Sequence, residues 1–320
     1  MKHKIWVGYD LMPEPLALLE AEAETIHSTN IADLPGVAGV ILGVEPTANA
    51  DFMDRTGQTL KVIARHGIGV DNVDLAAATE RGIIVVNTPD APTESTAEHA
   101  VALLLALAKQ VVAGDRKLRG TANTPQSQLQ GTEVRGRTLG VIGFGRIGRR
   151  VAQICGQGLQ MRIIAFDPYI NQSQAAAMDV EVVDSLEALL DQADFVSLHP
   201  ALTPATEHLI SKAELHRMRP TAFLINVSRG PVVDEVALIE ALEAGQLAGA
   251  AMDVFDPEPP TPNNPLFRLP NVVATPHISS FTDLGRQAMS QGAVEQVLQV
   301  LRGERPPFLV NPKAWPGRAA

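Results

Sequence analysis

The segment that most restricts the fold of this chain is Gly143-Phe144-Gly145-Arg146-Ile147-Gly148. It closes a short apolar run at residues 139–142 and opens a helical pattern at 147–155. A strand that turns on glycine directly into a helix is the start of a βαβ unit. In such a unit Gly143 makes the tight turn and Gly145 lets the backbone approach a pyrophosphate. Gly148 lets the helix pack closely on the sheet with its N-terminus toward the phosphates, where Ile147 also lies. Asp167 stands at the end of the next strand, nineteen residues after Gly148. A carboxylate there can bind both ribose hydroxyls of NAD and would repel a 2′-phosphate. Loop and carboxylate together predict NAD as the cofactor. Arg146 could favour NADP, but its place in the phosphate turn puts it at the pyrophosphate.

The periodicity on either side of this loop predicts two alternating series. In the first, residues 4–7, 39–42, 60–64 and 83–86 read as strands, and 15–23 and 73–80 as helices. Such alternation implies a parallel sheet with crossover helices. Residues 94–113 read as one long helix, with Thr93 as N-cap, so apolar that more than one side must be covered. It is expected to join two lobes and to meet a second subunit. Residues 119–130, rich in Gly, Thr, Asn, Gln and Ser, read as a surface connection. The second series has strands at 139–142, 162–166, 195–198, 222–226, 248–252 and 272–274, with helices at 147–155, 185–192 and 234–244. Six strands suit a doubly wound dinucleotide-binding sheet. A last helix at 283–302 carries the chain back, so that 306–315 would finish the first lobe. The expected fold is α/β, with two Rossmann-like lobes of doubly wound parallel sheet and a deep cleft between them. The substrate-binding (catalytic) domain is expected at 1–98 plus 285–320 and the NAD-binding domain at 99–284.

Bulk properties remove several function classes. A length of 320 residues is comfortable for two domains. The formal charge of −10 lacks the basic face that a nucleic-acid partner needs. The single cysteine, Cys155, allows no intramolecular disulfide, and its apolar helical surroundings read as packing. The basic N-terminus Met1-Lys2-His3-Lys4 precedes too short an apolar run for a signal peptide. No stretch reaches the roughly 18 to 20 apolar residues of a membrane span, so a cytoplasmic protein without a membrane partner is expected. No group of His, Cys and carboxylates has metal-ligand spacing, and no metal is predicted.

Three further segments follow the glycine loop: Asn226-Val227-Ser228-Arg229-Gly230, Asp253-Val254-Phe255-Asp256-Pro257-Glu258-Pro259 and Thr275-Pro276-His277-Ile278-Ser279. Taken singly, Arg229 reads as a surface arginine, Glu258 as a solvated loop carboxylate and His277 as a turn histidine. Each, however, lies at or just beyond the carboxyl end of a strand in the second series, the edge where open α/β sheets bind ligands. Together they can reduce a ketone. An arginine can hold a carboxylate and polarise the adjacent carbonyl, a histidine can protonate the alkoxide, and a neighbouring glutamate can favour the protonated histidine.

With these segments, Gly67-Ile68-Gly69-Val70-Asp71-Asn72-Val73-Asp74, Asn87-Thr88-Pro89 and Ala97-Glu98 complete a set that resembles the D-isomer-specific 2-hydroxyacid dehydrogenase family over nearly the whole chain. The resemblance implies that Arg229 binds the substrate carboxylate and carbonyl, that His277 is the general acid of reduction, and that Glu258 is its partner. It also implies that backbone amides at Ile68 and Gly69 hold the carboxylate. Cofactor contacts are implied at Ile147, at Pro200 after the Ser197-Leu198-His199 strand end, at Val227 and Ser228, and at Asp253 near the nicotinamide. Arg65 matches an arginine that contacts the phosphate in 3-phosphoglycerate dehydrogenases, whereas Thr88-Pro89-Asp90 looks like glyoxylate and hydroxypyruvate reductases. The chain ends soon after Val310-Asn311-Pro312, so the appended regulatory domain of long phosphoglycerate dehydrogenases is expected to be absent.

Two departures stand out: Pro200 directly follows His199 where the family has His-x-Pro-Leu-Thr, which bears on the cofactor contact there, and Arg119-Gly120-Thr121-Ala122 lacks the tryptophan of the family's Gly-x-Trp, which bears on the size of the substrate pocket. His99 in the long helix and His199 at a strand end read as structural. His66, beside Gly67, is the one remaining histidine with a claim on the substrate. The leading expectation is a homodimeric NAD-dependent reductase of small 2-keto acids of the hydroxypyruvate, glyoxylate or 3-phosphoglycerate type. The alternatives are phosphite-type oxidation on the same fold and an NAD-sensing scaffold; formate enzymes carry glutamine where Glu258 stands.

Overall fold

In the computed structural model, which describes residues 2–315, the chain forms two compact units, one of residues 1–93 and 280–320 and one of residues 94–279. Residues 316–320, the end of the tail assigned above to the substrate-binding domain, lie outside the described residues.

The first unit is a five-stranded parallel sheet of β1 (Lys4–Val7), β2 (Glu24–His27), β3 (Gly39–Leu42), β4 (Val62–Arg65) and β5 (Ile84–Val86), in the order β2-β1-β3-β4-β5. This is a doubly wound order whose direction reverses between β1 and β3. The inner strands are β-branched and buried, and the helix Asp283–Leu301 closes one face with Ala293, Val294 and Val297. Strand β2, Glu-Thr-Ile-His, is not among the expected strands. It is a half-exposed edge strand without an apolar face, held by pairing Lys4 to Glu24 through Val7 to His27.

The second unit is a seven-stranded parallel sheet of β6 (Thr138–Ile142), β7 (Arg162–Phe166), β8 (Glu181–Val182), β9 (Phe195–Leu198), β10 (Phe223–Asn226), β11 (Gly249–Met252) and β12 (Val272–Ala274). Its order, β12-β11-β10-β9-β6-β7-β8, is the six-stranded dinucleotide-binding order with one strand added. The expected six strands are present, and β8, only two residues long, adds a seventh at the edge. The order reverses between β6 and β9, so the glycine loop leaves β6 beside the turn that leaves β9. Buried Phe195 and Phe223 stack at 5.1 Å inside this unit.

The single long helix expected at 94–113 is two helices, Thr93–Ala108 and Val111–Leu118, bent by 63°. Thr132 N donates to the carbonyl of Ala108 at 2.6 Å, so the returning chain takes an acceptor that a continuing helix would need. Gln110 sits at φ 55 in the break. Nor does Thr93 cap the first helix: it lies in the first turn, its amide bonded to Asp90 O at 3.3 Å, and its hydroxyl has no partner. Leu103, Leu104 and Leu107 are spent on the core of this unit. Among the described residues, no single helix is long and apolar enough to cross a membrane.

Candidate active site

The glycine loop has the geometry its sequence required. Gly143 is left-handed at φ 86, and a Cβ there would lie 2.6 Å from Pro200 N, so the loop and the Pro200 turn are in contact only because Gly143 has no side chain. A Cβ on Gly148 would meet Gly143 O at 2.1 Å. At Gly145, by contrast, nothing lies within 4 Å of an added Cβ. That open cradle at the start of the helix Arg146–Gln153 fits a pyrophosphate. Asp167 follows β7 and accepts Phe144 N on one oxygen and Tyr169 N on the other, each at 2.8 Å. The carboxylate is thereby aimed at the loop and retains lone pairs for ribose hydroxyls.

At the end of β10, Asn226 shapes the Arg229 segment. Its Oδ1 accepts Ser228 N at 3.0 Å and Ser228 Oγ at 2.8 Å, while its Nδ2 donates to Arg229 O at 2.9 Å. Val227 and Ser228 are buried, and Arg229 is half-buried with Nη1 donating to Ser228 O at 2.7 Å. The next residue, Gly230, would place a Cβ 1.9 Å from Phe255 O, so the Arg229 turn lies directly against the loop that carries Glu258. That loop is tied back to Glu235, which accepts Asn264 Nδ2 at 2.7 Å and Asp256 N at 3.3 Å.

Glu258 Oε1 is hydrogen-bonded to His277 Nδ1. With Nδ1 committed to the carboxylate, Nε2 is the ring atom that can pass a proton. His277 itself is left-handed at φ 53, which costs a residue with a Cβ about 1–2 kcal/mol. What holds it there is Asp253 at the end of β11. The carbonyl of Asp253 accepts His277 N at 2.8 Å, and its carboxylate accepts Ile278 N and Ser279 N, both at 2.9 Å, and Thr275 Oγ1 at 2.6 Å. Hydrogen bonds to a charged group are worth about 1.5–3 kcal/mol each, so together they exceed the local strain. Burial pushes the Asp253 carboxyl up, while His99, Thr275 and the two amides pull it down; the bonds prevail and the group lies below its usual range.

In the first unit, Arg65 ends β4 and is buried, with Nη1 donating to His66 O at 2.6 Å and Nε to Asn72 Oδ1 at 3.2 Å. Ile68 and Gly69 are half-buried in the following loop, which is pinned by Asn87 Nδ2 on Ile68 O at 2.7 Å and by Thr88 Oγ1 on Gly67 N at 3.0 Å. The His66 ring is taken up by Ser290 Oγ at 3.0 Å and by Tyr9, 4.4 Å between ring centroids. Burial first, then the Arg65 guanidinium, pushes it down to about 4. Such a ring is neutral at physiological pH. His199 is likewise pushed down to about 3 by burial, with Nε2 on Ser197 Oγ at 2.9 Å. Burial pushes the Cys155 thiol up to about 12, which leaves it unreactive.

Asn226, Glu235, Asn264 and Thr275 carry no signal of their own in the sequence. Asn226 and Thr275 lie in recognised segments, but Glu235 and Asn264 show their role only through contacts. Among the described residues, no cluster of His, Cys and carboxylates is arranged to hold a metal.

Comparison with known proteins gives the same reading of the second unit. The sequence profile for "D-isomer specific 2-hydroxyacid dehydrogenase, NAD binding domain" matches residues 101–279. A glyoxylate reductase of Korarchaeum cryptofilum is 46% identical over 256 residues, 79% of this chain and 76% of its own. A D-3-phosphoglycerate dehydrogenase of Archaeoglobus fulgidus is 39% identical over 287 residues, 89% of this chain and 54% of its own. The chain thus spans about half the length of the first curated relatives it matches. The crystal structure of the TT0316 protein from Thermus thermophilus is 40% identical, with a TM-score of 0.85 over 96% of this chain and 99% of that one. The dinucleotide cradle, the strand order and these matches converge: the chain belongs to the D-isomer specific 2-hydroxyacid dehydrogenase family.

Proposed function

We propose that the protein reduces small 2-keto acids to (R)-2-hydroxy acids with NADH, and catalyses the reverse oxidation, on substrates of the hydroxypyruvate, glyoxylate or 3-phosphoglycerate type. The observation that carries this reading is the bond between Glu258 and His277 Nδ1, which commits the ring to donate from Nε2. NADH, when bound, supplies the hydride. Gly143, Gly145 and Gly148 with Arg146 and Ile147 would hold its pyrophosphate, Asp167 its ribose, and Pro200, Val227, Ser228 and Asp253 would supply the remaining contacts. Arg229 holds the substrate carboxylate and carbonyl, Ile68 and Gly69 offer their amides to the carboxylate, and Arg65 meets a distal phosphate where the substrate has one. His277 gives its proton to the carbonyl oxygen as charge develops there, while Glu258 balances the ring's charge.

An NADH-consumption panel with glyoxylate, hydroxypyruvate, pyruvate, phenylpyruvate and 3-phosphohydroxypyruvate, run beside phosphite oxidation, tests the reading. Turnover of at least one keto acid is expected, and turnover of phosphite alone would overturn it. Asp167 is expected to set cofactor choice, so wild type will prefer NADH and Asp167→Ala will narrow that preference. The variant should also bind NADH more weakly, because Phe144 N loses its acceptor. Kinetics with both cofactors decide this, and an unchanged ratio would detach Asp167 from the ribose.

The protein is further read as a cytoplasmic homodimer, paired through the helical segment that begins at Thr93, in which Val111 is 58% and Leu118 90% exposed. Light scattering at micromolar concentration should give twice the chain mass of 34.1 kDa; a particle of the single mass would end this assignment.

A further inference from the structure

We infer that His99, a residue with no reactive role of its own, is a positioning residue that holds the turn presenting His277. The inference rests on the proposed role of His277 as the acid of reduction. Asp253 is fully buried, and four groups approach its carboxylate. Three of them, Thr275, Ile278 and Ser279, belong to the same strand-end turn as His277 and can only tie that turn to Asp253. His99 is the fourth, and it alone comes from another element, the helix Thr93–Ala108. Its Nε2 lies 3.1 Å from Thr275 Oγ1 and 3.5 Å from Asp253 Oδ1.

The direction of these bonds follows from proton counting. A hydroxyl has one proton, and Thr275 spends it on Asp253 at 2.6 Å. Thr275 Oγ1 can therefore only accept from His99, which places a proton on His99 Nε2. The helix thus fixes the rotamer of Thr275, Thr275 and the two amides fix the carboxylate, and the carboxylate holds the backbone on both sides of the left-handed His277. Glu258 restrains the ring itself, through Nδ1. A ring anchored at its backbone by Asp253 and at its edge by Glu258 has little freedom to swing Nε2 off line. Removing His99 loosens the first anchor without touching the second.

The test compares His99→Leu, which has no donor, with His99→Gln, which can still donate to Thr275. With the best keto acid of the panel, His99→Leu should lower kcat roughly tenfold, the scale seen when an orienting hydrogen bond behind a functional group is lost. The NADH dissociation constant, read by fluorescence quenching, and KM for the keto acid should stay within about twofold of wild type, and His99→Gln should recover most of the loss, as a mere packing role would not allow. Thr275→Val, which removes the bridge and leaves the helix intact, should reproduce the His99→Leu effect even if that variant fails to fold. In protein carrying 15N-histidine, the His277 ring signals should move in His99→Leu and Thr275→Val and return in His99→Gln. A kcat within twofold of wild type in His99→Leu or Thr275→Val, or a loss in NADH affinity in place of kcat, would overturn the inference. So would an impairment equal in His99→Gln and His99→Leu, or unmoved His277 ring signals. Failure of the wild type on every keto acid would instead count against the functional reading, with the ring signals still deciding whether His99 positions His277.

Discussion

His277→Ala will lower kcat/KM for keto-acid reduction by roughly 10²–10⁴-fold at every pH, the usual worth of a positioned general acid. That range corresponds to about 3–5 kcal/mol of barrier, more than any local packing loss at a ring that is 24% exposed would explain. The two reaction directions make the prediction signed. In the proposed mechanism reduction consumes a proton from the cationic ring and oxidation delivers one to the neutral ring, so reduction should fall toward high pH and oxidation toward low pH. Glu258→Gln preserves a hydrogen-bonding group at Nδ1 and removes the carboxylate's counter-charge. The reduction profile of that variant should therefore fall off at lower pH than in wild type, with activity partly kept in acid. The measurement is kcat/KM against pH in both directions, after NADH binding has been verified for each variant. An unchanged profile in Glu258→Gln would separate Glu258 from the histidine, and near-normal turnover in His277→Ala would remove the mechanism.

Arg229→Lys is expected to cost on the order of a hundredfold or more in kcat/KM, the scale of losing one donor to a developing oxyanion. Lysine keeps the charge, so a purely electrostatic role would survive the change; the planar fork that meets a carboxylate and a carbonyl together would not. The backbone argues that the loss will be local. Asn226 holds Ser228 and the Arg229 carbonyl, and Gly230 seats the turn against Phe255, all without the guanidinium. The variant should therefore fold and bind NADH as wild type does, with the loss appearing once the keto acid is added. Activity within a few-fold of wild type would show that Arg229 is not the substrate clamp.

The features legible in the chain alone were those whose cause is local. A glycine loop between a strand and a helix, a carboxylate one strand later, and Arg229, Glu258 and His277 each at a strand end are written within short segments, because the tight turn and the strand edge need particular residues in place. For the same reason the buried strands of both sheets were visible as apolar runs. What tertiary structure alone decided depends on partners distant along the chain. Strands β2 and β8 lie at sheet edges, where pairing with a buried neighbour substitutes for an apolar pattern of their own. The break at Gln110 exists because Thr132 takes the carbonyl of Ala108, a bond no helical periodicity encodes. His99 looked like one more residue of an apolar helix, and only the fold, by bringing that helix against β11 and β12, set its imidazole beside Thr275 and Asp253. A side chain's role in a polar network is set by what it meets, and neither the spacing nor the composition of its own helix contains that information.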